Sequence, residues 1–163
     1  MTYPDPDFDM ALPATYPHPM KEIIRYGGCF VCGDQNKFGL QAKFFDNNGE
    51  AVTDVVASPA FEGYYGIYHG GVLASLLDEV MIKAILARGV FAVTAEMTVR
   101  FRRPVSIGEK LKITGRIVSR KGRVYATEGT AAGSDGTVFA TAIGTYLEAR
   151  EDLKSRLVRS LGK

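Results

Sequence analysis

The stretch HGGVLASLLDEV, residues 69–80, joins a glycine-rich start to the most apolar helical pattern in the chain. The spacing of its apolar residues predicts an α-helix from about residue 70 to 87, with Gly89 beyond its end. A carboxylate, Asp78, lies within this helix, directly after a pair of leucines. The position of this acidic group in an apolar helix therefore needs an explanation.

On a helical wheel of about 100° per residue, Asp78 shares an apolar stripe with Ala74 and Ile82. Glu79 falls on another stripe with Lys83, which we predict to be solvated. Because an unpaired carboxylate is costly to bury, Asp78 needs a hydrogen-bond partner. The helix pattern alone leaves two interpretations open, a structural carboxylate bonded to a nearby group and a functional acid or base.

The residues His69, Gly70 and Gly71 start the predicted helix. Free N–H groups at a helix N-terminus can polarise a carbonyl group or stabilise an oxyanion, although glycine is also common there for structural reasons. Gly70 and Asp78 are about 12 Å apart along the helix at ~1.5 Å per residue, so one carbonyl cannot contact both in one chain. A site that uses both therefore predicts a two-fold dimer.

The chain divides into a proline-rich arm (residues 1–28), a domain (29–148) and a C-terminal amphipathic helix (149–163). A short helix is predicted over 20–26, ended by two glycines. Strand-like segments lie at 40–45, 51–57, 91–102, 110–120, 124–132 and 138–147. Short connections favour antiparallel neighbours, so we expect an α+β fold with one antiparallel sheet wrapped around one long central helix.

Composition excludes several classes of protein. A net charge of +2 is too small for a nucleic-acid-binding surface. No apolar run approaches the ~20 residues needed to cross a bilayer, and the start of the chain lacks a secretory signal pattern. Two cysteines form no disulfide framework. We expect a cytoplasmic protein that binds neither nucleic acid nor membrane.

Two longer segments, EGYYGIYHGGVLASLLDEV (62–80) and VTAEMTVRFRRPVSIGEKLKITGRI (93–117), resemble the hotdog-fold acyl-CoA thioesterases of the phenylacetate-degradation (PaaI-like) type. The motif CFVCG (29–33), with Asn36 and the pair Gly39-Leu40, resembles an N-terminal signature of one branch. The resemblance covers about residues 28–147. It implies a hotdog fold, hydrolysis of an acyl-CoA-type thioester without a metal or redox cofactor, and a homodimer or dimer-of-dimers tetramer.

The resemblance also implies catalytic roles. Asp78 corresponds to the catalytic carboxylate, acting as nucleophile or as base on water, and Gly70 to the donor that binds the thioester carbonyl. His69 holds the turn, and Thr94 helps to place the water. Thr94 nevertheless falls on the polar face of a strand that alternates over residues 94–102. Some members carry an asparagine six residues before the histidine, where this chain has Gly63.

Substrate-binding residues are expected around this site. Gly71 and Tyr68 are placed beside the substrate, although Tyr68 and its neighbouring tyrosines could equally pack the loop. Two basic clusters are either solvated faces or binding sites for the phosphates of coenzyme A. They consist of Arg100, Arg102 and Arg103, and of Arg120, Lys121 and Arg123.

The pair Cys29 and Cys32 has a spacing found in zinc and redox sites. Zinc needs four ligands and the chain has only His18 and His69 as histidines, so a structural turn with partly buried thiols is favoured, and no metal site is predicted. Two rival functions stay open, a hotdog hydratase or dehydratase and a non-catalytic acyl-CoA-binding protein. A sensor is expected to lack the helix aspartate or to carry a DNA-binding module.

Overall fold

An antiparallel sheet with one long helix on its inner face forms the body of the protein. The computed structural model describes residues 20–162. Within this range the elements are β1 (Lys21–Glu22), β2 (Phe45–Asn47), β3 (Glu50–Val56), α1 (Gly70–Leu86), β4 (Ala92–Phe101), β5 (Lys110–Lys121), β6 (Val124–Gly133), β7 (Val138–Glu148) and α2 (Glu151–Arg159), with 3₁₀ turns at Pro59–Phe61 and Ser160–Gly162. The strand order is β1-β2-β3-β5-β6-β7-β4, and every neighbouring pair is antiparallel. The predicted α+β architecture is confirmed.

The apolar face of α1 lies directly on β5. In β5, Leu111, Ile113 and Gly115 are buried, and the residues that alternate with them are the exposed Lys110, Lys112 and Arg116 and the half-buried Thr114, as expected for a strand with one solvated face. A Cβ on Gly115 would lie 2.8 Å from the carbonyl carbon of Val80, so glycine allows the helix backbone to touch the strand. The helix contributes the centre of the core through fully buried side chains: Leu76, Leu77, Val80, Met81 and Ile85.

The segment before the sheet differs from its prediction. Residues 20–26 do not form a helix, because Lys21–Glu22 pairs with β2 and the Ile23 N–H donates to the carbonyl of Phe44. The strand predicted at 40–45 begins only at Phe45, since Gln41 has a φ of 51° and turns the chain. The proline-rich residues 1–19 lie outside the described residues, and the division of the chain at residues 28 and 148 stays a prediction.

The predicted solvated stripe of α1 is wrong. The Lys83 side chain is completely buried and that of Glu79 is 12% exposed, with Nζ and Oε1 3.5 Å apart. The Lys83 ammonium also donates to the carbonyl of Ile24 and lies 5.3 Å from the centre of the Tyr26 ring. The chain before β2 folds over this side of the helix, which helical periodicity cannot reveal. No helix among residues 20–162 is long and apolar enough to cross a membrane.

The buried ion pair leads to a prediction about stability. Lys83→Met leaves the Glu79 carboxylate without its cation, and we expect a loss of about 3–5 kcal/mol in the free energy of unfolding, measured by urea denaturation. The matched control is Lys154→Met, because Lys154 and Glu151 also lie 3.5 Å apart but are 44% and 88% exposed. That change should cost less than about 1 kcal/mol. Equal losses in both variants would contradict a buried pair.

Candidate active site

The Asp78 carboxylate lies where α1 meets β4 and β7. Its Oδ1 accepts a hydrogen bond from the Thr94 hydroxyl at 2.9 Å and another from the Tyr146 hydroxyl at 2.8 Å. Tyr146 also donates to the Asp78 backbone carbonyl at 3.1 Å. Among residues 20–162, no protein donor reaches Oδ2, and the side chain is only partly buried. One oxygen is therefore held in place while the other is available for chemistry.

A β-bulge brings Thr94 to this carboxylate. The register of β4 against β7 shifts between Thr94 and Glu96, so that Ala95 is an extra residue. Since side chains alternate along a strand, the extra residue moves Thr94 to the same face as Met97 and Val99. The predicted placement of Thr94 on the polar face is therefore wrong, because the bulge interrupts the alternation of side chains between Thr94 and Glu96.

Tyr146 is a site residue that the sequence reasoning missed. It is completely buried, and burial, followed by the charge of Asp78, raises its pKa, so the hydroxyl stays protonated and donates. A Cβ on Gly144 would lie 2.6 Å from Cε2 of Tyr146, so this glycine makes room for the ring. The available signal was a tyrosine on the buried face of β7, where its hydroxyl needs a partner.

The N-terminus of α1 presents a backbone donor. His69 caps the helix, and its Nδ1 accepts the Gly71 N–H at 2.9 Å, while its carbonyl accepts the N–H groups of Val72 and Leu73. Among residues 20–162 the N–H of Gly70 has no acceptor. This N–H, at the positive end of the helix dipole, can bind a carbonyl oxygen.

The glycines around His69 have different roles. A Cβ on Gly71 would lie 2.9 Å from Cε1 of the imidazole, so Gly71 lets the ring fold back onto the backbone, and its N–H is occupied. A Cβ on Gly63 would lie 3.2 Å from the Cα of His69. A side chain at residue 63 would press against the capping residue, which gives a steric reason for glycine at this position.

A groove at the start of α1 gathers part of the predicted site. It has a volume of about 320 Å³, and its lining includes Tyr68, Gly70, Arg102 and Arg103. Tyr68 is 4% exposed, and burial raises the pKa of its hydroxyl. Asp78 and Thr94 do not line this groove. One chain therefore carries the carbonyl donor and the acid at two separate places.

The two basic clusters lie at opposite ends of the sheet. In the sheet, Arg120 pairs with Tyr125, Tyr125 with Tyr146, and Tyr146 with Thr94. Arg120 therefore lies at the same end of the sheet as Thr94. Arg102 follows eight residues after Thr94, about 26 Å along β4 at ~3.3 Å per residue. The two clusters therefore lie far apart in one chain.

The arginines also differ in what they contact. Arg100 is exposed and pairs with Thr141 in the sheet, outside the groove. Arg120 donates to Glu148 Oε2 at 3.2 Å and to the carbonyl of Gly122 at 3.0 Å, which holds it over the β5–β6 turn. Lys121 is exposed in the same turn. Arg102 and Arg103 are thus the two arginines that the structure places beside Gly70.

A cavity of about 440 Å³ lies beside Thr94, on the acid side of the site. Its walls come from β4, from α1 and from the C-terminal helix α2, which contributes Leu157. The walls are mainly apolar, with Glu79 and Cys29 among the polar exceptions. A cavity of this size beside Thr94, whose hydroxyl bonds to Asp78, can hold an apolar group of a small-molecule ligand.

At one wall of that cavity, Cys29, Cys32 and Glu79 form a compact group whose sulfur and oxygen atoms all lie within 4.8 Å of one another. A hydrogen bond from the Cys32 thiol lowers the pKa of Cys29 and raises that of Cys32. Burial, reinforced by the nearby charge of Cys29, raises the pKa of Glu79 to about 7. The cysteine pair therefore has a third potential metal ligand that its sequence spacing did not indicate.

Comparisons with known proteins agree with this architecture. The thioesterase superfamily profile matches residues 65–147. The acyl-coenzyme A thioesterase THEM4 of Bos taurus is 25% identical over 131 residues, 78% of this chain and 54% of that protein, so the chain spans about half the length of this relative. A solved thioesterase superfamily protein is 27% identical with a TM-score of 0.71, over 82% of this chain and 70% of its own.

The E. coli PaaI protein from the phenylacetic acid degradation operon has a similar fold, with a TM-score of 0.63 at 22% identity, over 68% of this chain and 81% of its own. The family match spans α1 and β4 to β7, and hence the elements that carry Asp78, Thr94 and Tyr146. The hotdog fold that the resemblance implied is confirmed by these likenesses. The chain belongs to the thioesterase superfamily.

Proposed function

We propose that the protein hydrolyses an acyl-CoA-type thioester to the free acid and coenzyme A. The observation that carries this proposal is the Asp78 carboxylate, with Oδ1 held by two hydroxyl groups and Oδ2 available. The apolar cavity beside Thr94 offers space for the acyl group. The name of the bovine relative, an acyl-coenzyme A thioesterase, supports the substrate class.

The reaction needs a hydrogen-bond donor to the thioester carbonyl oxygen, and a carboxylate near the carbonyl carbon that acts as nucleophile or base. The Gly70 N–H binds the carbonyl oxygen and stabilises the negative charge that develops on it. Asp78 Oδ2 attacks the carbonyl carbon, or removes a proton from the water that does so. The C–S bond then breaks, and the coenzyme A thiolate is protonated by the water-derived proton held on Asp78 or by solvent. If Asp78 is the nucleophile, the mixed anhydride that forms is hydrolysed by water, which regenerates the carboxylate. In both routes water supplies one oxygen of the product acid.

We further propose that each active site is shared between two subunits. Gly70 and Asp78 are separated by about 12 Å along α1, at ~1.5 Å per residue, which exceeds the reach of one carbonyl group. A two-fold dimer with antiparallel α1 helices brings the Gly70 of one subunit to the Asp78 of the other. The same operation brings Arg102 and Arg103 of one subunit towards Arg120 and Lys121 of the other.

The arginines are assigned to the nucleotide end of the substrate. Guanidinium groups bind phosphates with two hydrogen bonds, so Arg102, Arg103 and Arg120 are proposed to contact the phosphates of coenzyme A. The exposed Arg100 and Lys121 add positive charge around them.

Both cysteines are free thiols, which supports a reducing compartment such as the cytoplasm. The reaction uses no cofactor beyond the coenzyme A part of the substrate.

Removal of the Asp78 charge tests the assignment of the acid. Asp78→Asn keeps an oxygen that accepts from Thr94 and Tyr146 but loses the base, so we expect kcat for acyl-CoA hydrolysis to fall by about 100-fold or more. Release of free coenzyme A is followed with a thiol reagent, and circular dichroism checks the fold. The control is Glu96→Gln, which removes an exposed carboxylate two residues beyond Thr94. Turnover by Asp78→Asn close to that of the control would rule out Asp78.

Subunit mixing tests the shared site. Gly70→Val crowds the approach of the carbonyl, and a Cβ at Gly70 meets only the Phe101 ring at 3.6 Å, so the fold tolerates it. Gly70→Val and Asp78→Asn should each be nearly inactive alone. After partial unfolding and random reassociation, half the dimers are mixed and half of their sites are intact, so activity should recover to about a quarter of wild type. Verified exchange without recovery would show that one chain carries the whole site.

The phosphate contacts are tested with two substrates. Arg102→Ala and Arg120→Ala should each raise KM for a CoA ester more than for a short thioester without the nucleotide, because only the CoA ester carries the phosphates. Arg116→Ala is the control, since Arg116 is exposed in β5 and pairs with Glu128. An equal rise of KM for both substrates would identify Arg102 and Arg120 as solvated surface residues.

A further inference from the structure

We propose that Cys29, Cys32 and Glu79 form a binding site for one divalent zinc-type cation, separate from the hydrolytic residues. The three side chains come from two parts of the chain, the turn before β2 and the middle of α1. Two thiolates with one carboxylate form a ligand set suited to zinc. The proposal concerns metal binding and does not depend on the proposed thioesterase activity.

The spacing of the ligand atoms suits a tetrahedral ion. Zinc–sulfur bonds of ~2.3 Å and zinc–oxygen bonds of ~2.0–2.2 Å place neighbouring sulfur and oxygen ligands about 3.5 Å apart. Cys29 Sγ lies 3.8 Å from Glu79 Oε2. All three ligand atoms lie within 4.8 Å of one another, so side-chain movements of about 1 Å or less close the set around the ion.

The cysteine turn is built to present sulfur atoms. The N–H groups of Val31 and Cys32 point at Cys29 Sγ, at 3.3 and 3.4 Å, and stabilise negative charge on it. The Gly33 N–H donates to the Cys29 carbonyl at 3.0 Å, and a Cβ on Gly33 would lie 2.5 Å from that carbonyl oxygen. Only glycine fits this tight turn, which holds both cysteines on the side that faces α1.

The surrounding charges favour a dication. Glu79 Oε1 is buried and has no hydrogen-bond partner among the described residues, while Oε2 faces the sulfur. The completely buried Lys83 ammonium lies 3.5 Å from Oε1. Two thiolates, one carboxylate, one ammonium and a divalent cation sum to zero charge, which is the arrangement that a buried cluster requires.

The fourth coordination position faces the cavity. Cys29 and Glu79 line the cavity of about 440 Å³, whereas Cys32 is completely buried behind them. Three protein ligands and one open position allow a water molecule or a ligand from the cavity to complete the coordination. Binding releases to solvent the protons that the ligand side chains still carry and involves no oxidation or reduction, so the affinity should fall as the pH is lowered.

Cobalt titration tests the site. The reduced, metal-free 163-residue chain is titrated with Co²⁺ under anaerobic conditions, and absorption records sulfur-to-cobalt charge transfer and the d–d bands of four-coordinate cobalt. We expect about one Co²⁺ per chain, displaced by Zn²⁺, whose affinity is measured by competition with a chromogenic chelator. Absence of charge-transfer absorption in the wild-type protein overturns the proposal, whatever the variants do.

Substitutions then identify the ligands. Cys29→Ser and Cys32→Ser should each abolish the charge-transfer band or weaken binding by about tenfold or more, and Glu79→Gln should weaken it to a similar extent. The control is Asp34→Asn, which removes an exposed carboxylate next to the same turn and should leave binding unchanged. Wild-type affinity in Cys29→Ser, or an equal loss in the control, would contradict the assignment. Failure here would leave the hydrolytic proposal intact, because its tests involve Asp78 and Gly70.

Discussion

The contact between the Asp78 carboxylate and the hydroxyl groups of β4 and β7 is the interaction on which the arrangement of the site depends. A carboxylate in the middle of an apolar helix must be hydrogen-bonded, and the hydroxyls of Thr94 and Tyr146 supply two bonds to the same oxygen. These bonds define how α1 is rotated on the sheet. They also leave the second oxygen without a protein donor among residues 20–162, and our proposal assigns the hydrolytic chemistry to that oxygen.

Small residues make this contact possible. Gly115 lets the backbone of α1 approach β5, and Gly144 makes room for the ring of Tyr146. The bulge at Ala95 turns Thr94 inwards without disturbing the strand beyond it. The bulge departs from regular strand pairing, whereas the two glycines act through their lack of a side chain. Their common effect is to bring two hydroxyl groups within hydrogen-bonding distance of one carboxylate.

Regular patterns in the sequence were sufficient to predict most of the fold. The helix after Gly70 and the four strands that follow it have clear periodicity and turn signals, and each was found within about two residues of its observed ends. The segment 20–26 could not be predicted, because its extended form depends on pairing with the distant residues of β2. Local propensity carries no information about such a partner.

Some residues of the site can be recognised from the local sequence, and others only from contacts with distant parts of the chain. Asp78 stands out because an acidic residue conflicts with the apolar pattern of the helix. Gly70 stands out because it begins that helix. Tyr146 does not, because its importance arises from register across β4 and β7 and from contact with a helix 68 residues earlier. The side of the sheet on which Thr94 lies depends on a β-bulge, and no residue type in the sequence indicates that bulge. The burial of Lys83 could not be predicted because the residue that contacts its ammonium, Ile24, lies 59 positions earlier in the chain.

Two adjacent carboxylates of α1 meet very different surroundings, and this difference separates their chemistry. A rotation of about 100° per residue directs Asp78 to the hydroxyls of the sheet and Glu79 to the cysteine turn and Lys83. Burial raises the pKa of Glu79 to about 7, since the ammonium only partly offsets the cost of desolvation. A cation held by Cys29, Cys32 and Glu79 would remove that cost and fix one wall of the cavity beside Thr94. The hydrolytic acid and the metal ligand would then be neighbours in sequence with separate roles on different faces of the same helix.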